Sequence, residues 1–549
     1  MIRFTEKYDG STFDVLIIGG GITGASVAYE AASRGLKVAL VEKNDFASAT
    51  SSASSRMIHG GLRYLANAEF ALVRESLRER RIMMNIAPNF VHPMPFLFAM
   101  YKHDKNSPFV YKIGMILYDI LSYDKNFLWD KSKKMPNHKF LSKSEVLKLI
   151  PNAKEEGLLG GNLYFDCTNH SPERMTLAFI KSAVKYGAMV ANYAEMKKFI
   201  FYKSEKKLKS VKAVEVFDKI SGKTLQINCR AVVNCAGPWA DFVLKKAENK
   251  NDHEFNLRRS EGIHFVTKKL NENYIFASIN SKNKHYFIIP YRNYSLVGTT
   301  DKEYKGNPDN YRVTKQSLLE LIDTVNSSFS DKEKITLNDI KFTYGGLRPL
   351  VEKQTEDVYN SSRKYEITDE RKNGIWGLIT VEGGKFTTSR SLAEKLVDKL
   401  ARMLKIKIKH SVSKKIFLNG SEISNIDEFV AEKQKLYSNF DKNQIRFLVY
   451  SYGTEIDKLM SLFYQNTDLQ TIVNEDGENL AQVVYAIRYE MALNLTDILM
   501  RRTGIGLLGQ PEKTILQKIV YISAKELNWN NETIQNQINM TRKYFELPN

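Results

Sequence analysis

Cysteine is scarce: Cys167, Cys229 and Cys235 are the only three in 549 residues. They show no C-x-x-C or zinc spacing, which excludes those redox and metal motifs and fits a reducing cytoplasm. Long apolar runs are also missing. The most membrane-like stretch, residues 109–123 (FVYKIGMILYDILSY), is too short to span a bilayer and contains Lys112 and Asp119. No secretory leader is expected, because a buried strand begins almost at the N-terminus. There is no internal repeat, low-complexity tract or EF-hand loop, and no metal is expected. A nucleic-acid surface would interleave clustered basic residues with aromatics, and no such block occurs. The net charge of +19 is instead spread along the chain. It suits solvated faces, an anionic substrate or an anionic membrane surface.

What is present is a chain too long for one core, so two or three domains are expected. Its composition, 43% apolar and 26% charged, is that of a soluble globular protein. The most informative stretch is residues 14–42, DVLIIGGGITGASVAYEAASRGLKVALVE. Residues 15–18 form a continuous apolar run, as in a strand covered on both faces. Gly19, Gly21 and Gly24 follow at G-x-G-x-x-G spacing. These provide a tight turn, a close approach for a pyrophosphate and close packing of the next helix. Residues 25–34 predict a helix with its N-terminus toward the phosphates, and residues 36–41 a second strand. Glu42 at its end is placed to bind a ribose 2′-hydroxyl and to repel a 2′-phosphate. A dinucleotide is therefore expected, either NAD or FAD.

Further along, residues 46–56 (FASATSSASSR) can give hydroxyls, among them Ser51, Ser52 and Ser55, to phosphate and ribityl oxygens. Residues 57–65 (MIHGGLRYL) set His59, Arg63 and Tyr64 beside a Gly-Gly turn. Helices are expected at 70–87 and 172–186. A buried strand breaks at Gly237-Pro238, and residues 158–164 read as a return to α/β patterning. Residues 264–267, 286–290 and 295–300 read as a second, largely antiparallel sheet. Residues 345–349 (GGLRP) read as a turn presenting Arg348. A strand over 374–380 leads to Glu382-Gly383-Gly384-Lys385 and a helix over 387–404, whose positive end could stabilise negative charge. From about residue 418 the pattern is helical, with 447–462 and 480–502 the strongest amphipathic pieces.

Taken together, GGGITG, SSASSRMIHGGLRYL, NCAGPWAD, GTTD, GGLRPL and GGK resemble the FAD-dependent glycerol-3-phosphate dehydrogenases. The likeness runs to about residue 400, and residues 488–506 (RYEMALNLTDILMRRTGIG) resemble that family's helical C-terminal domain. It implies an α/β fold of the D-amino-acid-oxidase type. An FAD-binding Rossmann-like domain (about 1–100, 155–245 and 340–400) would join an antiparallel substrate sheet (about 255–345), with 101–154 as cap or membrane-facing segment. A helical domain would occupy 401–549. It also implies FAD as cofactor and conversion of glycerol 3-phosphate to dihydroxyacetone phosphate. Electrons would pass to a membrane quinone from a cytoplasmic protein attached peripherally to the membrane, and a homodimer is compatible with this reading. The short run between GLRPL and GGK is similar to the dehydrogenases rather than to their oxygen-using oxidase relatives. The resemblance points to Arg63, Tyr64, His264, Arg348 and Arg363 at the substrate and Lys385 at the flavin. His264 is favoured as proton acceptor, with His59 near the flavin. Gly19, Gly21, Gly24, Glu42, Ser51, Ser52, Ser55, His59, Gly237 and Lys385 are expected at the cofactor. A flavoprotein of the same fold with an amino or hydroxy acid substrate, and a flavin-containing nucleic-acid binder, are the rival readings.

Overall fold

The computed structural model describes residues 1–104, 106–203, 208–248, 257–279, 285–327, 334–351 and 364–548. Strand β1 (Phe13–Ile18), helix α1 (Ile22–Ser33) and strand β2 (Val38–Val41) form the expected βαβ unit. β1 is flanked in parallel by β2 and by Thr224–Asn234, and the parallel set continues to Met189–Ala191 on one side and Leu378–Gly383 on the other. Tyr365–Asp369 closes that edge antiparallel. Val15, Ile17, Leu16 and Ile18 alternate between two buried faces. Val15 and Ile17 pack with α1, Pro172–Lys185 and Ser389–Leu404, while Leu16 and Ile18 face Met196, Val214 and Val216. This explains the unbroken apolar run, since both faces of a parallel sheet are covered.

α1 lies close on β1 because position 24 carries no side chain. A Cβ there would stand 1.9 Å from the Gly19 carbonyl oxygen. The approach aims the helix N-terminus at the end of β1.

The second sheet runs Lys302–Tyr304, Arg258–Thr267, Tyr294–Gly298, His285–Tyr291, Ile275–Ile279, Val91–Tyr101, Leu158–Asn169 and Met57–Ile58, with Ile340–Leu350 also paired to Arg258–Thr267. Several expectations change here. Leu158–Asn169, read as part of the dinucleotide half, pairs along its length with Val91–Tyr101 in this sheet. Arg348 lies inside the strand Ile340–Leu350 rather than in a turn, opposite Ser260. The expected strand over 374–380 is broken at Gly377 (φ +84°) into Ile375–Trp376 and Leu378–Gly383. In the C-terminal region, Lys442–Tyr452 and Ile456–Gln465 are separate helices parted at Gly453. Ala481–Glu490 stops at Met491 (φ +56°) before Leu495–Asp497 and the π-turn Ile498–Arg502.

Among the described residues no helix is long and apolar enough to cross a membrane, and no group of three or more His, Cys, Asp or Glu could hold a metal. Gly24→Ala should lower the free energy of unfolding by about 1–3 kcal/mol, as overpacking does, at the upper end because the clash is with backbone. Gly114→Ala, in the helix Pro108–Leu121 with nothing within 4 Å of the new Cβ, should be neutral or stabilise by up to about 1 kcal/mol. Denaturant midpoints test the contrast. Equal effects would contradict the packing explanation.

Candidate functional site

Four strand ends converge on one cavity of about 410 Å³, within the range of small-ligand sites. β1 delivers Gly19 and Gly21, β2 delivers Glu42, Thr224–Asn234 delivers Cys235 to Gly237, and Leu378–Gly383 delivers Gly384 and Lys385. Ligands of open α/β sheets bind at this edge, beyond the carboxyl ends of the strands. The turn into Lys385 needs glycine: Gly383 has φ +71°, and a Cβ there would meet the Lys364 carbonyl oxygen at 2.4 Å.

Glu42 is held by its own loop, with the Gly20 N–H donating to Oε2 at 2.7 Å and the Asn44 N–H to Oε1 at 2.8 Å. Burial raises its pKa, against the pull of these two donors. The serine-rich loop folds over the helix end. The Ile22 N–H donates to Ser51 Oγ at 2.9 Å, the Ala47 N–H reaches the Gly20 carbonyl at 3.1 Å, and Thr50 Oγ1 donates to the Leu347 carbonyl at 2.6 Å.

Two chemically distinct clusters border the cavity. One contains His59, Tyr64, Arg348 and Lys385. The Lys385 ammonium donates to Ser76 Oγ at 2.9 Å and lies 4.1 Å from the centre of the Tyr64 ring. Arg348 is oriented by the Thr300 carbonyl at 3.0 Å, Thr299 Oγ1 at 2.6 Å and Asp301 at 3.7 Å. Its guanidinium covers the space where Gly262 lacks a side chain. The other cluster contains Lys43, Trp239, Phe242, Lys246 and Asp309. Lys43 sits 4.1 Å over the Trp239 ring and 2.6 Å from Asp309, which also accepts from the indole N–H at 2.9 Å.

Of the residues expected from sequence, Gly19, Gly21, Glu42, Ser51, Ser55, His59, Tyr64, Gly237, Arg348 and Lys385 border this cavity. Three do not. Gly24 packs on Gly19, and Ser52 gives its hydroxyl to the Ala49 carbonyl at 3.0 Å. His264 is buried behind Ser55, with a 2.8 Å hydrogen bond between Nε2 and Ser55 Oγ, and stacks on Tyr344 at 5.0 Å. Arg63 belongs to the short helix Leu62–Ala66 that also carries Tyr64. Arg363 lies outside the described residues. The Lys43, Trp239 and Asp309 cluster had no signal in sequence beyond the NCAGPWAD motif, because its members come from three segments far apart in the chain.

The family models then match this arrangement over nearly the whole chain. Residues 14–399 match the FAD dependent oxidoreductase model, and residues 411–534 match the C-terminal domain of alpha-glycerophosphate oxidase. A glycerol-3-phosphate dehydrogenase from Synechocystis sp. is 33% identical over 99% of this chain and 98% of that protein. The chain belongs to the FAD-dependent glycerol-3-phosphate dehydrogenase/oxidase family. An aerobic glycerol-3-phosphate dehydrogenase from Staphylococcus haemolyticus is 34% identical over 91% of this chain and 88% of that protein. Among solved structures, a Bacillus halodurans glycerol-3-phosphate dehydrogenase complexed with FAD superposes with a TM-score of 0.75 at 26% identity, covering 97% and 95% of the two chains. L-proline dehydrogenase from P. horikoshii, at TM-score 0.51 and 18% identity, shares the fold alone.

FAD is the cofactor of this family, and the residues fit it. The glycine-lined end of β1 leaves backbone approach where any side chain would intrude. α1 opens at Gly21 with no side-chain cap of its own, an anion-receptive terminus. Glu42, the loop hydroxyls and Lys385 supply the acceptors, donors and cation that a ribose, a diphosphate and a flavin ring require.

Burial lowers the His264 pKa to about 3, with Arg348 and Arg56 adding to the effect, and His170 likewise to about 3. His92 is held well below its usual value by burial and Lys133. All three are neutral in the fold, whereas the unfolded chain protonates them near pH 6.5. Acidification from pH 7 to 5 should therefore destabilise the protein, by up to about 1.4 kcal/mol per pH unit for each histidine once below that value. Urea midpoints across this range measure it, and stability that holds or rises toward pH 5 would contradict it.

Proposed function

We propose that this chain oxidises sn-glycerol 3-phosphate to dihydroxyacetone phosphate and passes the electrons to a membrane quinone. The observation that carries the reading is that His59, Tyr64, Arg348 and Lys385 border the same cavity as the dinucleotide fingerprint. Bound FAD supplies the acceptor for the hydride leaving C2. The residues that would hold it are Gly19, Gly21 and the α1 terminus at the diphosphate, Glu42 at a ribose, and Ser51, Ser55, Gly237 and Lys385 along the rest.

Arg348 is assigned to the substrate phosphate, because a guanidinium fork matches a phosphate with two parallel charged hydrogen bonds. Its orientation by Thr299, Thr300 and Asp301 lowers the entropy lost on binding. Arg63, Tyr64 and Arg363 are assigned to the same substrate from the motifs they occupy. The hydroxyl proton needs a neutral imidazole. We assign it to His59, which borders the cavity, in preference to His264, which reaches the cavity only through Ser55. His264 then fixes the Ser55 hydroxyl.

The quinone reading rests on a different surface. The helix Pro108–Leu121 buries Met115 and Tyr118 but exposes Phe109, Val110, Ile113, Ile116 and Ile120, and Tyr123 and Phe127 follow exposed. Lys112 lies over the ring of half-exposed Phe140 at 5.4 Å. An apolar face with Lys112 beside it suits the interface of an anionic bilayer.

Arg348→Ala should raise KM for glycerol 3-phosphate about 30-fold, matching the roughly 2 kcal/mol lower end for a lost charged hydrogen bond at a partly exposed site, with kcat changing less. His59→Ala should cut kcat more than His264→Ala while flavin stays bound. An unaltered KM in the first variant overturns the phosphate assignment. Hydrogen peroxide formed as fast as an artificial acceptor dye is reduced overturns the quinone assignment. For the membrane, Phe109→Ser with Ile113→Ser should weaken binding to phosphatidylglycerol vesicles on the order of 100-fold, from ~1.5 kcal/mol or more per apolar side chain. Binding that ignores both this change and added salt refutes the attachment.

A further inference from the structure

The C-terminal helical region reaches back into the dinucleotide site through one buried carboxylate. Asp45 follows Glu42 by three residues, is fully buried, and begins the turn that carries Phe46 and Ala47 onto Gly20. Phe46 packs where Gly20 leaves room, and the Ala47 N–H holds the Gly20 carbonyl at 3.1 Å with φ +60° at Ala47. Residues 47–51 and 53–55 then form one wall of the cofactor cavity. The position of that wall depends on where Asp45 is held.

Asp45 is held from more than 450 residues away. Arg502 grips it with both terminal nitrogens, at 2.7 Å to Oδ1 and 2.8 Å to Oδ2, and Arg501 Nε donates to Oδ2 at 2.7 Å. Asn192 completes the shell at 3.0 Å. Both arginines sit on the π-turn Ile498–Arg502, whose extra residue places two consecutive side chains on the same carboxylate. Asp497 neutralises Arg501 at 2.6 Å and accepts from the Tyr193 hydroxyl and the Leu493 and Asn494 N–H groups. Two buried arginines thus face two buried aspartates. Burial pushes the Asp45 carboxyl up, and Arg502 and Arg501 overcome that and hold it at about 2. A group of this kind tolerates loss of one member badly, because the remaining charge stays buried without its partner.

We propose that Arg501 and Arg502 are positioning residues for FAD, acting through Asp45 to set the serine-rich wall of its site, so that the C-terminal domain controls cofactor affinity. Neither arginine borders the cavity. The coupling is reciprocal: if the clamp favours FAD binding, FAD binding tightens the clamp.

The experiment uses the full-length protein stripped of flavin, titrated with FAD, with hydrogen exchange followed in the peptide spanning residues 498–502. The variants are Asp45→Asn and Arg502→Lys. Glu478→Gln is the control, since it removes the charge of the buried Arg292–Glu478 pair (3.1 Å) and of the acceptor for the Gly504 N–H, while leaving Asp45 and both of its arginines in place. The expected result is FAD binding weakened 10- to 100-fold in Arg502→Lys and Asp45→Asn, and within threefold of wild type in Glu478→Gln. In wild type and Glu478→Gln, FAD should slow exchange across 498–502. That protection should be lost in Asp45→Asn. If Asp45→Asn does not fold, Arg502→Lys and the wild-type exchange decide the matter. FAD that leaves exchange at 498–502 unchanged in the wild type, or affinity that falls equally in Glu478→Gln, overturns the proposal.

Discussion

Helix α1 can lie against β1 only because position 24 has no side chain, and much of the site follows from that contact. With the helix pressed to the strand, its N-terminus points past Gly19 at the edge where four parallel strands end. The backbone dipoles of the helix end then face the space that an anionic cofactor needs. The second sheet adds His59 and Arg348 to that edge, and Lys385 arrives from the last parallel strand. One close approach thus sets the direction in which the site is assembled.

A second constraint is electrostatic and lies in the interior. The C-terminal helices are not merely stacked on the oxidoreductase body. Arg174 pairs with Glu490, Arg292 with Glu478, and Arg501 and Arg502 with Asp45. Each pair joins residues far apart in the chain inside a region of low dielectric, where a misplaced partner is costly. Such pairs specify one arrangement of the two regions rather than adding much net stability. They account for residues whose charge had no evident use when the chain was read in order.

The βαβ unit was legible in sequence because its information is local: an apolar run, three glycines at fixed spacing and a terminal acid. The serine-rich loop and the GGK turn were legible for the same reason. Arg348 was misplaced because GGLRP has the composition of a turn, while its strand is imposed by pairing with Arg258–Thr267 about 90 residues earlier. Leu158–Asn169 was drawn to the wrong sheet by the same blindness to distant partners. The stop at Met491 has no local signal at all, since methionine is rarely found at positive φ. The Lys43, Trp239 and Asp309 cluster and the arginine pair on Asp45 exist only after folding. Motif resemblance could flag Arg363 and His264 as candidates, but not that Ser55 separates His264 from the cavity.

The central claim is that a flavin held at the strand ends meets a phosphorylated alcohol among His59, Arg348 and Lys385. Its most direct test is the visible absorption of the purified holoprotein in the absence of oxygen. Adding one equivalent of glycerol 3-phosphate should bleach the visible flavin absorption, with dihydroxyacetone phosphate formed in matching amount, while serine and lactate leave the spectrum unchanged. A yellow protein whose spectrum does not respond to glycerol 3-phosphate, or one bleached by an amino or hydroxy acid instead, would contradict it.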